Sequence, residues 1–247
     1  MTDLPNRVAL IPGGARGIGR GVAMELARGG WAVAVAYRSS VAHGDSLVET
    51  VQQAGGLAWA VEADVSDSQA ARLLVAQVEG RWGRIDALVN CVGPYHRVNI
   101  LEETDAGWRS MFANNLDPVF HLSQAVAPGM IQRGWGRIIS FALARAEQLV
   151  APPNLTAHAI AKSGIIALTR TFARVLAPHG ITVNAISPGF IDSGNPIPPE
   201  LEAVAMRIPA GYVGSVDDAV AAVRYLLSDE ARYVTGTNLQ LGGGWGL

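Results

Sequence analysis

Gly13-x-x-x-Gly17-x-Gly19 follows directly on the apolar run Val8 to Ile11 and leads into a stretch with helical periodicity. Glycines at this spacing let the backbone turn sharply, approach a pyrophosphate without Cβ clashes and pack a helix closely on a strand. An anion would then sit at the helix N-terminus, where free N–H groups and the helix dipole favour it. The chemistry read here is dinucleotide binding, with Gly13, Arg16, Gly17, Ile18 and Gly19 forming the phosphate loop; a purely structural glycine turn is the alternative. A second group, Arg38 and Ser39, lies just past the next apolar run, Trp31 to Tyr37. There a Rossmann-type fold meets the adenosine ribose. An acidic residue would hold a 2′-hydroxyl, whereas a cation and a hydroxyl suit a 2′-phosphate, and Arg16 adds a second positive charge. The pairing favours NADP over NAD; the bland alternative is two solvated surface arginines.

The elements that would position these residues follow a regular alternation. A helix from Gly17 to about Arg28 carries Ile18, Val22 and Leu26 on one side and ends at Gly29-Gly30. The near-continuous apolar run to Tyr37 suits a parallel strand covered on both faces. A helix over about His43 to Ala54, a strand over Leu57 to Ala63, a helix over about Asp67 to Trp82 and a strand over Ala87 to Asn90 come next. Strand and helix alternating in this way predict an α/β fold: a single-domain, Rossmann-type doubly wound parallel sheet with helices on both faces.

At this point the chain resembles the short-chain dehydrogenase/reductase family over nearly its whole length, and more closely the 3-oxoacyl-carrier-protein reductase branch. Pro12-Gly13 to Gly19 stands where that family has Thr-Gly-x-x-x-Gly-x-Gly, and Asn90 to Gly93 where it has Asn-Asn-Ala-Gly. Ile208-Pro209, Thr235-Gly236 and Gly242 to Gly244 resemble the closing elements of the branch. The resemblance implies that Asp64, with Val65, meets the adenine, that Pro188, Gly189 and Ile191 surround the nicotinamide, and that Asn90 and Gly93 belong to the cofactor site. It also implies active-site roles for Asn115 and Lys162, with Lys162 bonding the nicotinamide ribose. In pteridine reductases of this family an aromatic near the position of Tyr95 stacks on the substrate ring; Tyr95 could do that, or donate a proton, or be an exposed loop tyrosine.

Three positions depart from the pattern, two of them among the residues that carry the family's chemistry. The family's serine falls at Leu143, with neither Ala142 nor Ala144 supplying a hydroxyl, and its tyrosine is replaced by His158, four residues before Lys162. Two extra residues separate these positions, in the turn from Gln148 to Pro153. In the family the tyrosine protonates the carbonyl oxygen as hydride arrives and the serine holds that oxygen, so reduction of an ordinary ketone loses both aids. His158 is a substitute acid or a histidine that hydrogen-bonds within the pocket wall; Lys162 one turn away would lower its pKa. Pro12 replaces a threonine that ties the glycine loop to the turn after the fourth strand, and Cys91 beside it reads as packing rather than chemistry.

Composition bounds the rest. The 247 residues carry 19 Lys and Arg against 21 Asp and Glu, a net charge of −2, with no basic run, which argues against a nucleic-acid partner. The one cysteine permits no intrachain disulfide, the histidines show no metal-ligand spacing, and neither a signal peptide nor a membrane span is evident, so a soluble cytoplasmic protein without a metal is expected. The stretch 190–212, with four prolines around Leu201, Val204 and Met206, reads as a substrate-covering lid for an apolar or aromatic small molecule. Helices over about Asp105 to Gln132 and Thr156 to Ala177 are expected, through the resemblance, to pair subunits into a homodimer or homotetramer. The functions in play are an NADPH-dependent reductase with an altered acid, or a non-redox protein on the same scaffold: a nucleotide-sensing module, a cyclase or an isomerase.

Overall fold

The computed structural model describes residues 5–194 and 205–246. The first half alternates β1 (Val8–Pro12), α1 (Gly17–Arg28), β2 (Ala32–Tyr37), α2 (Val41–Gln53), β3 (Ala58–Glu62), α3 (Ser68–Trp82) and β4 (Ala87–Asn90). The second half carries α4 (Asp105–Asn115), α5 (Asp117–Arg133), β5 (Gly136–Phe141), α6 (Thr156–Leu176) and β6 (Ile181–Pro188). A short pair, β7 (Ile191–Asp192) and β8 (Gly214–Ser215), precedes α7 (Val216–Leu227) and β9 (Asn238–Leu241).

Among the described residues, seven strands form one sheet in the order β3-β2-β1-β4-β5-β6-β9, every neighbour parallel. The apolar runs of β1 and β2 are buried because both faces are covered. Val8 and Leu10 point to a core built with α3, α5 and α6, whereas Ala9 and Ile11 point to one built with α1, α2 and α7. That division follows from the two-residue period of a strand. The strand order reverses between β1 and β4, and a crevice opens at the carboxyl ends of strands at such a switch point.

One boundary differs from the expectation. The helix expected over Asp105 to Gln132 is two helices, α4 and α5, meeting at Leu116. Pro118 has no N–H to give to the carbonyl of Asn114, and its ring crowds that carbonyl, which accounts for the break at this point. The chain restarts with Val119 N and Phe120 N both donating to Leu116 O, at 3.1 and 3.3 Å. Of the expected lid, Pro196, Ile197, Pro198, Pro199, Leu201 and Val204 lie outside the described residues; its far end has Met206 exposed and Ile208 buried.

Candidate active site and cofactor cleft

The turn after β1 is built on glycine. Gly13 has φ +76°, and a Cβ there would lie 2.7 Å from the Cys91 carbonyl oxygen. A Cβ at Gly19 would lie 2.4 Å from Gly13 O, so α1 can approach the turn only without one. Backbone bonds fix the turn on both sides without a side chain at position 12: Cys91 N, just past β4, donates to Pro12 O at 3.0 Å, and Gly13 N donates to Ala36 O of β2 at 2.9 Å. The α1 N-cap, Arg16, makes no side-chain cap, and no acidic residue stands in the first turn. The helix end thus keeps its N–H groups and positive dipole for an anion.

A cleft of about 910 Å³ runs over these strand ends. It brings together Gly13, Arg16, Gly17, Ile18, Gly19, Arg38, Ser39, Asp64, Val65, Gly93 and Tyr95, contributed by the four connections that follow β1, β2, β3 and β4. Arg16 Nη2 donates to Ser40 Oγ at 2.6 Å. Arg38 Nη1 donates to Asn114 Oδ1 at 2.7 Å and lies 3.9 Å from Asp64 Oδ2. Asp64 Oδ1 accepts from Ser66 N and Oγ; these bonds, the hydroxyl's foremost, hold its pKa below the usual carboxylate value, with Arg38 adding to the effect.

Behind the Val92 to Tyr95 end of the cleft, and not on its wall, the α6 first turn supplies His158, and Lys162 follows one turn later; both are buried. Lys162 Nζ donates to Phe141 O at 2.8 Å and to Val92 O at 3.4 Å, so the ammonium bridges the ends of β5 and β4. Burial lowers its pKa to about 8, against a small upward pull from Cys91. His158 is pushed to about 4, first by burial, then by the Lys162 and His96 charges, with the Pro94 carbonyl pulling the other way. Its Nδ1 is buried without a partner. The Tyr95 ring, two-thirds exposed, lies 5.9 Å from the imidazole at an interplanar angle of 59°. Leu143 is half-buried against Val119, Ala142, Ala146, Ile165 and Ile166.

Asn115, fully buried at the end of α4, donates through Nδ2 to Pro94 O at 3.0 Å and Met111 O at 2.9 Å. Gly93 fits against it because it has no side chain: at φ +144° a Cβ would stand 2.4 Å from Asn115 Oδ1 and 2.8 Å from Lys162 Nζ. The loop leaving β4 is thereby pressed against both residues. Cys91 is pushed up to about 12 by burial, so its thiol stays protonated. Among the described residues no group of three or more His, Cys, Asp and Glu could hold a metal, and no helix is long and apolar enough to cross a membrane.

The Enoyl-(Acyl carrier protein) reductase family model matches residues 13–246. The chain is 34% identical over 239 residues to the 3-oxoacyl-[acyl-carrier-protein] reductase FabG of Staphylococcus aureus, spanning 96% of each chain. The chain belongs to the short-chain dehydrogenase/reductase family. Within it, this oxidoreductase is also 36% identical over 250 residues to an uncharacterized oxidoreductase of Methylorubrum extorquens, covering 99% of both. A double mutant of a Serratia marcescens short-chain dehydrogenase/reductase superposes with a TM-score of 0.92 at 32% identity, covering 99% of both chains. A dehydrogenase/reductase from Sinorhizobium meliloti gives 0.90 at 32% identity, covering 99% of this chain and 97% of that one.

In this short-chain dehydrogenase/reductase some expected site residues lie beneath the cleft rather than on its wall. Asn90 ties β4 to β5 through Nδ2 to Ser140 Oγ at 3.0 Å. Pro188 ends β6; Gly189 N donates to Leu241 O at 2.8 Å; Ile191 pairs with Gly214. Asn114 and Pro118, both on the cleft wall, were not singled out from the sequence. The signal for Asn114 was its place beside Asn115, which puts adjacent helix positions toward different neighbours.

Proposed function

We propose that this protein is an NADP-dependent oxidoreductase that delivers hydride to a C=N, C=O or conjugated substrate without a side-chain hydroxyl acid. The observation that supports it is the pairing, behind the Val92 to Tyr95 end of the cleft, of a buried neutral His158 with a lysine held between the β4 and β5 ends.

The residues present fit the dinucleotide. The cradle at Gly13 and Gly19 has no room for a Cβ, which matches a backbone that must come close to a pyrophosphate. Arg16, Arg38 and Ser39 would hold the 2′-phosphate, Asp64 and Val65 the adenine, and Lys162 the nicotinamide-ribose hydroxyls. When bound, the cofactor supplies the hydride. His158, with a pKa of about 4, carries a proton in roughly one molecule in a thousand at pH 7, so it serves as a neutral hydrogen-bonding group in the pocket wall. Leu143, standing where the family places a serine, offers contact but no hydrogen bond to a growing oxyanion. Such a site suits an iminium best. Hydride adds to its carbon, the π pair moves to nitrogen, and no proton is needed. Tyr95 stacks on an aromatic or conjugated substrate, and Asn115 keeps the loop after β4 in place.

The test is loss of NADPH absorbance with a panel of cyclic iminium ions, quinones, conjugated ketones and simple ketones. Turnover of the first three classes above the simple ketones is expected. NADPH binding with no turnover of any class would contradict the reading and point to a non-redox role.

A further inference from the structure

The two cations of the proposed 2′-phosphate subsite are held by neutral oxygens, and the two holds differ. Arg16 reaches Ser40, a hydroxyl on the same side of the cleft that can turn with it toward a phosphate. Arg38 instead reaches across to α4, where Asn114 Oδ1 accepts from Nη1 at 2.7 Å. The Asn114 amide cannot easily swing away, because its Nδ2 donates to Ser110 O at 2.8 Å and Ser110 Oγ at 3.2 Å. Asp64 steadies the same guanidinium: its Oδ1 is occupied by Ser66, and Oδ2 lies 3.9 Å from Arg38 Nη1. Arg38 and Asn114 both line the cleft, so the bond between them spans its adenosine end.

We propose that Asn114 is a specificity-determining residue, a latch that holds Arg38 across the adenosine end of the cleft and competes with the cofactor's 2′-phosphate for it. This inference rests on the NADP reading above. Arg38 bonded to Asn114 and Arg38 bonded to a 2′-phosphate are two placements of one side chain. A ligand bearing the phosphate must draw it from the first to the second, and its apparent affinity falls by the fraction of molecules in which Arg38 is already free. A ligand without the phosphate gains nothing from the exchange. The latch thus lowers the preference for NADP below what Arg16, Arg38 and Ser39 would otherwise produce, and does so from a helix that holds no part of the phosphate loop.

Calorimetric titration with 2′,5′-ADP and 5′-AMP reads this without any redox turnover. Asn114→Ala should tighten 2′,5′-ADP by about three- to tenfold, the scale of one hydrogen bond to a charged group at a solvated site, and leave 5′-AMP within about twofold. Asn114→Leu keeps the side chain's bulk without the acceptor and should behave alike, which covers the case in which the alanine variant is unstable. In an Arg38→Ala background the gain should vanish, since the latch then has nothing to hold. If the parent binds 2′,5′-ADP more tightly than 5′-AMP but both Asn114 variants leave that difference unchanged, the latch is wrong and the NADP reading stands. Equal tightening of both nucleotides, or a gain that survives Arg38→Ala, also overturns the latch. A parent that binds the two nucleotides equally overturns the NADP reading, and the latch with it.

Discussion

His158 is kept neutral by burial and by the neighbouring ammonium, which makes it one source of the protein's sensitivity to acid. Its folded pKa of about 4 lies below the ordinary value of 6.5. Between these values the unfolded chain binds a proton that the folded chain does not. Stability therefore falls as pH drops from about 6.5 to about 4, by about 3 kcal/mol in all, and is unaffected by this group above 6.5. Melting curves at pH 5 and pH 7 should show a smaller difference for His158→Leu than for the parent. On activity, His158→Ala should leave turnover at pH 7 within about tenfold, because a group that is neutral there donates no proton; a working general acid would cost about 10²–10⁴-fold. Lys162 and His158 were singled out only through the resemblance to the family's Tyr-x-x-x-Lys pattern. Their pKa values were only half legible: the charge of Lys162 was foreseeable, but burial, the larger cause for both, comes from strands and loops distant in sequence. The Arg38 to Asn114 bond, across 76 positions, left no pattern to read.

At the scale of elements, two kinds of junction carry the site. The first is the glycine turn between β1 and α1, where sequence spacing and structure agree because the constraint is local: no other residue fits so close a crossing of backbone. Gly19→Ala, whose Cβ would meet Gly13 O, should lower the melting temperature and weaken nucleotide binding together, since helix and turn must part to admit it. The second is the α4–α5 break at Pro118, misread as one long helix. Proline inside a helical pattern is an ambiguous signal, as Pro128 shows by lying within α5 without ending it. The start of α7 is plainer. Ser215 and Asp218 close a reciprocal capping box, and Ser215→Ala should cost about 1 kcal/mol by chemical denaturation, with little effect on nucleotide affinity.

For the whole molecule, the reversal of strand order between β1 and β4 sets where chemistry can occur; the alternation of strands and helices along the chain predicted the doubly wound sheet, and the structure supplied the order. The substrate was not legible: the stretch 190–212, expected to cover it, mixes prolines and apolar residues with Asp192, Glu200, Glu202 and Arg207, a composition that names no ligand. Assembly is open to a direct check. Phe120 on α5 and Ile160 on α6 remain about two-fifths exposed, and light scattering at micromolar concentration is expected to give a dimer or tetramer. On the proposed function, Leu143 and His158 stand in place of the two hydroxyls that ketone reduction in this family relies on. The most direct measurement compares kcat/KM for a 3-oxoacyl thioester and a cyclic iminium, in the parent and in a variant carrying both Leu143→Ser and His158→Tyr. The parent should favour the iminium, and the double variant should gain thioester reduction beyond what either single change confers, because both hydroxyls act on one oxygen. Brisk thioester reduction by the parent, unchanged in the double variant, would show that the two missing hydroxyls do not limit ketone reduction here.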